Sequence, residues 1–323
     1  MLTDNFGRRF YYLRLSITDV CNFKCNYCLP DGYQCTNNRE FLTLDEIKCL
    51  ANSFAGLGTE KIRITGGEPS LRKDLPEIIT ACKQTSGIKT VALTSNGYKL
   101  PQHLPRWIDA GLDALNISID SLDARQFHAI TGQDKLATII EGIDLALSND
   151  FTRIKVNTVL LKQHNSNQID QFIDWIKDTP ITLRFIELME TGDNAVFFDQ
   201  QHVSGQSIKE KLLNEGWLPC IRDRASGPAQ EFYHPNYAGK IGLIMPYDKN
   251  FCQTCNRLRV SSLGKLHLCL FSEHGISLKQ ALASNDPYQV QAAITELMSD
   301  KKATHFLQQR MTGATSNLSM LGG

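Results

Sequence analysis

Six of the ten cysteines fall into two groups of three. Cys21, Cys25 and Cys28 lie in DVCNFKCNYCLP, and Cys252, Cys255 and Cys269 lie in FCQTCNRLRVSSLGKLHLCL. Thiolates hold zinc or iron–sulfur clusters, and a structural zinc site takes four ligands. Three thiolates on an iron–sulfur cluster leave one iron open to a further ligand. Beside the first group there is no His, and the nearest other thiol is Cys35. The second group could be completed for zinc by His267, His274 or Cys220, so zinc and cluster both stay open there. Cys35, Cys49, Cys82 and Cys220 are scattered along the chain and read as incidental or buried thiols.

These groups need a scaffold. Short β-branched runs alternate with helix-prone stretches: residues 11–18, 61–65, 90–94, 114–119, 153–160 and 181–188 read as strands. Such alternation builds parallel βα units. Six units are too few for a closed eight-stranded barrel, so the expected fold is α/β, a partial (β/α)6 TIM-type barrel. A doubly wound sheet is the alternative. The first triad follows the first strand, at the end where barrel chemistry sits. After residue 192 the pattern changes. Residues 1–192 are expected to form the barrel, and 193–323 a C-terminal, cluster-binding extension. In that extension TGDNAVFFDQQHVSGQS reads as a connection and RDRASGPAQEFYHPNYAGK as a loop. Short strands are expected at KIGLIM, RLRVSS and KLHLCL, then helix over SLKQALAS and PYQVQAAITELMSDKKATHFLQQR.

Strand parity separates two faces. Leu13, Leu15 and Ile17 oppose Arg14, Ser16 and Thr18. The later strands repeat this, with Lys61, Arg63, Asn116, Lys155, Asn157 and Arg184 on polar faces. If those faces turn inward, the lumen carries Arg14, Lys61, Arg63, Lys155 and Arg184. Unpaired buried cations are very costly, so such a lumen suits an anionic guest.

The remaining features exclude more than they assign. The chain of 323 residues has a formal net charge of zero, which gives no global pull toward nucleic acid or an anionic membrane. No apolar run is long enough to span a bilayer, and the N-terminal residues lack the apolar stretch of a signal peptide. A cytoplasmic protein, with reduced thiols, is expected.

CxxxCxxC after the first strand, GGEP at 66–69 and SID at 118–120 together resemble the radical S-adenosylmethionine superfamily. CxxCNRLR with a later third cysteine resembles, within it, the GTP 3′,8-cyclase family of molybdenum cofactor biosynthesis. DNFGR, YLRLSITDVCN, KIRITGGEPSLR, LTSNG, NISID, KVN, RFIELM and the terminal Gly-Gly extend that resemblance over nearly the whole chain. It implies two [4Fe-4S] clusters, one on Cys21, Cys25 and Cys28 and one on Cys252, Cys255 and Cys269. It also implies that S-adenosylmethionine fills the open iron position of the first and contacts Tyr27, Gly67, Ser118 and Met189. GTP would be bound by Arg14, Arg63, Thr94, Lys155, Arg184 and the Arg257, Leu258, Arg259 segment. The implied activity is that of a lyase that cyclises GTP to (8S)-3′,8-cyclo-7,8-dihydroguanosine 5′-triphosphate by radical chemistry, with no acid–base dyad. The expected partner is the next enzyme of that pathway, cyclic pyranopterin monophosphate synthase, with a homodimer left open and neither nucleic acid nor membrane involved. A peptide-modifying radical enzyme and a non-catalytic metal-binding module are the rival readings. The final MLGG is expected to enter the active site.

Overall fold

The computed structural model describes residues 1–34, 40–272, 274–313 and 321. Six parallel strands alternate with helices: β1 (Tyr12–Ser16), α1 (Leu44–Gly56), β2 (Lys61–Thr65), α2 (Leu75–Gln84), β3 (Thr90–Ser95), α3 (Leu100–Asp109), β4 (Ala114–Ser118), α4 (Ala124–Thr131), α5 (Leu136–Ser148), β5 (Ile154–Leu160), α6 (Ile169–Asp178) and β6 (Thr182–Glu187). Local chemistry sets several boundaries. Thr43 and Glu46 form a reciprocal capping box at the start of α1. Asp123 caps α4, which ends on Gly132 at φ 70°, a conformation glycine adopts without strain.

The rest of the chain contributes α7 (Ala195–Gln201), α8 (Gln206–Asn214), β7 (Leu218–Pro219), β8 (Gln230–Tyr233), β9 (Lys240–Ile244), β10 (Arg257–Val260), β11 (Lys265–His267), β12 (Ile276–Ser277), α9 (Lys279–Leu282) and α10 (Pro287–Leu297). Among the described residues, twelve strands form one sheet in the order β12-β11-β10-β1-β2-β3-β4-β5-β6-β9-β8-β7. β9 runs parallel to β6 and β10 parallel to β1, so the C-terminal extension lengthens the barrel wall at both edges.

The faces divide as parity requires. Leu13, Leu15, Ile17, Ile62, Ile64, Leu115, Ile117, Val156, Leu183 and Phe185 pack with helix side chains in one continuous core. The fold is thus a mixed α/β partial barrel with a C-terminal extension.

Three expectations need correction. The stretch read as a loop between residues 222 and 240 contains β8, an edge-side strand whose pairing with β9 outweighs its polar composition. The connection 191–207 contains α7 and the start of α8. The expected long last helix stops at Leu297. Single 3₁₀ turns follow at Met298–Asp300 and Leu307–Gln309, and Phe306 lies at φ 58°, outside the helical region. Among the described residues, no helix is long and apolar enough to cross a membrane. Of the scattered cysteines, Cys35 lies outside the described residues, and Cys49 and Cys82 are buried in the core.

Candidate functional site

The loop after β1 is held from two sides. Lys24 N and Asn26 N donate to the carbonyls of Thr131 and Ile130 at the end of α4. Gly67 N and Glu68 N donate to those of Thr18 and Val20. Neither glycine of GGEP could carry a side chain here: a Cβ would lie 2.4 Å from Thr18 O at Gly66 and 2.4 Å from Val20 O at Gly67. Backbone therefore lies directly on backbone under the first triad. Glu68 is fully buried, and its carboxylate accepts from Ser70, Ser95 Oγ (2.8 Å) and Asn96 N (2.6 Å). That ties GGEP to LTSNG at the end of β3. Tyr27 Oη donates to Asp120 Oδ2 at 2.9 Å, and Asp120 Oδ1 accepts from Val159 N. Burial raises the Asp120 carboxyl to about 6.

The second triad is organised from the N-terminus. Arg8 is paired with Asp4 at 2.6 Å and donates to the carbonyls of Cys252 (3.1 Å), Ala303 (2.8 Å) and Lys302 (2.7 Å). This gives DNFGR a structural task that the motif alone did not reveal. Burial pushes the Cys255 thiol up, but Arg257, Lys301 and Arg8 more than offset it and bring the thiol to about 7. None of His267, His274 and Cys220 joins the triad on the cavity wall. Cys220 lies at the other edge of the sheet, where its N–H donates to Glu231 O.

One cavity is lined by all six triad cysteines together with Arg14, Arg63, Arg184, Arg257 and Arg259. Tyr27, Gly67, Ser118, Met189 and Thr94 line it as well. Arg63, Arg184 and Arg259 are 4%, 5% and 8% exposed, which makes the wall cationic and largely shielded. The buried Nε atoms of Arg63, Arg184 and Arg257 have no hydrogen-bond partner, nor do Asn116 Oδ1 and Asn157 Oδ1. Buried polar atoms are ordinarily satisfied, so this set fits an anionic, hydrogen-bonding guest. Tyr12 registers the field: burial pushes its phenol up, yet Arg63, Lys61, Arg14 and Arg257 lower it to about 7. Tyr12 has the parity of Arg14, the signal by which it could have been included.

Lys61 and Lys155 share that face near the N-terminal strand ends but do not line the cavity. Lys155 is paired with Glu231 at 2.8 Å. The side chain of Leu258 is in the hydrophobic core at 1% exposure, because alternation points it away from the lumen between Arg257 and Arg259.

The donor sets fit iron–sulfur clusters. Within each triad the thiols act on one another: burial raises Cys25, with Asp120 and then Cys28 and Cys21 adding to it, and burial raises Cys252, with Cys269 and Cys255 adding. Among the described residues, no three His, Cys, Asp or Glu side chains are gathered as the ligand set of a metal ion. An apolar group of Leu270, Phe271, Leu307 and Leu321 packs against both Cys28 and Cys269.

A family model described as the radical SAM superfamily matches residues 15–176, half of the chain. A second, described as Molybdenum Cofactor Synthesis C, matches residues 181–307. The two matches meet just before β6. Among solved structures, Streptococcus suis SuiB bound to S-adenosylmethionine superposes with a TM-score of 0.62, over 90% of this chain and 68% of that one, at 12% identity. A further SuiB structure gives 0.59, over 89% and 68%, also at 12% identity. At that identity the likeness speaks for the fold alone.

Proposed function

The chain belongs to the radical S-adenosylmethionine superfamily, and on that premise we propose that it cyclises GTP to (8S)-3′,8-cyclo-7,8-dihydroguanosine 5′-triphosphate in molybdenum cofactor biosynthesis. As a radical S-adenosylmethionine enzyme it uses a [4Fe-4S] cluster and S-adenosylmethionine, for which Cys21, Cys25 and Cys28 are the thiolates after β1. The observation that carries the finer reading is the single cavity lined by both cysteine triads and five arginines. The match of residues 181–307 to a molybdenum cofactor synthesis model supports it.

In this reading Cys252, Cys255 and Cys269 would hold a second [4Fe-4S] cluster on the wall of the same cavity. When bound, the first cluster and S-adenosylmethionine supply an electron and a primary carbon radical that can take hydrogen from a ribose carbon. The protein's own contribution is placement. Arg14, Arg63 and Arg184 grip the triphosphate through charge-assisted hydrogen bonds. Arg257 and Arg259 bring the same charge from β10, next to β1. Tyr27, Gly67, Ser118 and Met189 form the wall toward S-adenosylmethionine. The buried wall keeps water from the radical, and fixed geometry brings C3′ to C8 of the same nucleotide. The product then passes to cyclic pyranopterin monophosphate synthase.

Anaerobic protein incubated with GTP, S-adenosylmethionine and dithionite should yield 5′-deoxyadenosine and the cyclised nucleotide. 5′-Deoxyadenosine with GTP recovered unchanged would overturn the substrate assignment. Calorimetric titration with GTP separates it from a peptide-modifying enzyme, which has no need of these arginines.

A further inference from the structure

Glu231 lies on β8, two strands away from β6. The register places Glu231 opposite Gly242 of β9, and Gly242 opposite Arg184 of β6. Residues in register across a sheet project to the same face. A Cβ at Gly242 would lie 3.1 Å from Arg184 Cγ and 3.5 Å from Glu231 Cγ. The missing side chain is the gap across which carboxylate and guanidinium meet. A single oxygen, Glu231 Oε1, accepts from both Arg184 Nη2 and Lys155 Nζ, each at 2.8 Å.

Burial alone would raise the Glu231 carboxyl, but Lys155 and Arg184 bring it to about 2, so it is ionised throughout the useful pH range. Arg184 itself is 7% exposed at the side chain, whereas Glu231 is 27% exposed. The carboxylate thus has open space beside it, and the guanidinium is held within the wall. Arg184 lines the cavity, and its buried Nε has no hydrogen-bond partner.

We propose that Glu231 is a resident counter-ion: it holds Lys155 and Arg184 in the empty protein, at a position a phosphate oxygen of the substrate takes by displacing it. This rests on the reading of Arg184, on the cavity wall, as part of a polyphosphate site, with Lys155 joined to it behind the wall through Glu231. The buried Arg184 guanidinium and the partly buried Lys155 ammonium beside it would repel each other without a partner between them. The carboxylate relieves that, and binding becomes an exchange of one anion for another. A singly charged anion gains little by replacing a carboxylate already held by two donors. A phosphate chain brings more charge and more oxygens, so the exchange selects for it.

The test compares wild type with Glu231→Gln, which keeps the shape and removes the charge. Anaerobically purified, cluster-loaded protein is titrated with GTP, guanosine and inorganic tripolyphosphate by calorimetry. Glu231→Gln should bind GTP and tripolyphosphate more tightly, on the order of tenfold for loss of one close opposing charge, and guanosine unchanged. Glu231→Ala should shift the same way. Unchanged or weaker tripolyphosphate binding in Glu231→Gln would overturn the proposal and make Glu231 a fixed support for the two cations. The nucleotide reading fails separately: wild type that binds tripolyphosphate but not GTP removes it and leaves the Glu231 comparison intact. Failure of both proteins to bind either anion sinks both ideas.

Discussion

Arg259 Nη1 donates to the carbonyl oxygen of Leu321 at 3.2 Å, across 62 positions of sequence. Arg259 lines the cavity on β10, and Leu321 is 3% exposed within the apolar group that touches Cys28 and Cys269. Leu321 is thus held beside both triads. Gly322 and Gly323, expected to enter the site, lie outside the described residues. Deleting them should leave the iron content and GTP affinity nearly intact and strongly reduce cyclisation, measured as product per 5′-deoxyadenosine. Turnover equal to the full chain would return the tail to an ordinary terminus.

The triads should load separately, since the first is anchored by α4 and GGEP and the second by Arg8. Cys25→Ser should lose about one cluster's worth of iron and all 5′-deoxyadenosine formation, because three thiolates are the minimum set. Cys255→Ser should lose a similar amount of iron, retain some S-adenosylmethionine cleavage and make no cyclised product. Full cyclase activity in Cys255→Ser would remove the second triad from substrate handling.

Gly67→Ala tests the backbone contact beneath the first triad. The added methyl would meet Val20 O at 2.4 Å and Asp19 O at 2.6 Å, both main-chain atoms that cannot step aside without moving the cysteine loop. Iron analysis with electron paramagnetic resonance should show the first cluster depleted and the second retained. A normally loaded first cluster would mean that the loop tolerates the shift.

Lys155 lies behind the cavity wall and shares Glu231 with Arg184, so it should give phosphate binding a pH dependence once that carboxylate is displaced. Its ammonium is brought down to about 8, first by burial and then by Arg184, with Lys61 adding and Glu231 opposing. Below that value it is charged and can hold phosphate; above it the contact is lost. GTP affinity measured by calorimetry should therefore fall between about pH 7 and pH 9, and the Lys155→Met variant should lack this component. Its effect on folding has the opposite sign. The unfolded side chain titrates near 10.5, so between about 8 and that value the unfolded chain binds more protons, and this group's contribution to stability rises with pH. A GTP affinity that is flat across that range in wild type would remove Lys155 from the phosphate site.

Much of the site was readable before any fold was known, because it depends on short-range rules. Alternation along β1, β2, β5 and β6 separated Leu13 and Leu183 from Arg14, Arg63 and Arg184, since a strand's side-chain period is set by its own backbone. The spacing of Cys21, Cys25 and Cys28 announced three donors and a vacancy, since ligand number is local chemistry. The same rule of alternation could have set Leu258 apart from Arg257 and Arg259, and included Tyr12 with Arg14. What the tertiary structure decided is who meets whom. β8 is polar and short, and it is a strand because β9 offers it a hydrogen-bonding edge. β9 and β10 join opposite edges of the same wall, which brings Cys255 and Cys25 into one cavity. Arg8 reaches Cys252, Glu231 reaches Arg184 over a glycine, and Arg259 holds Leu321. Each of these pairs is distant in sequence, so it depends on the packing of the whole sheet. No local pattern encodes that, because the free energy of each contact exists only once the strands between the partners are in place.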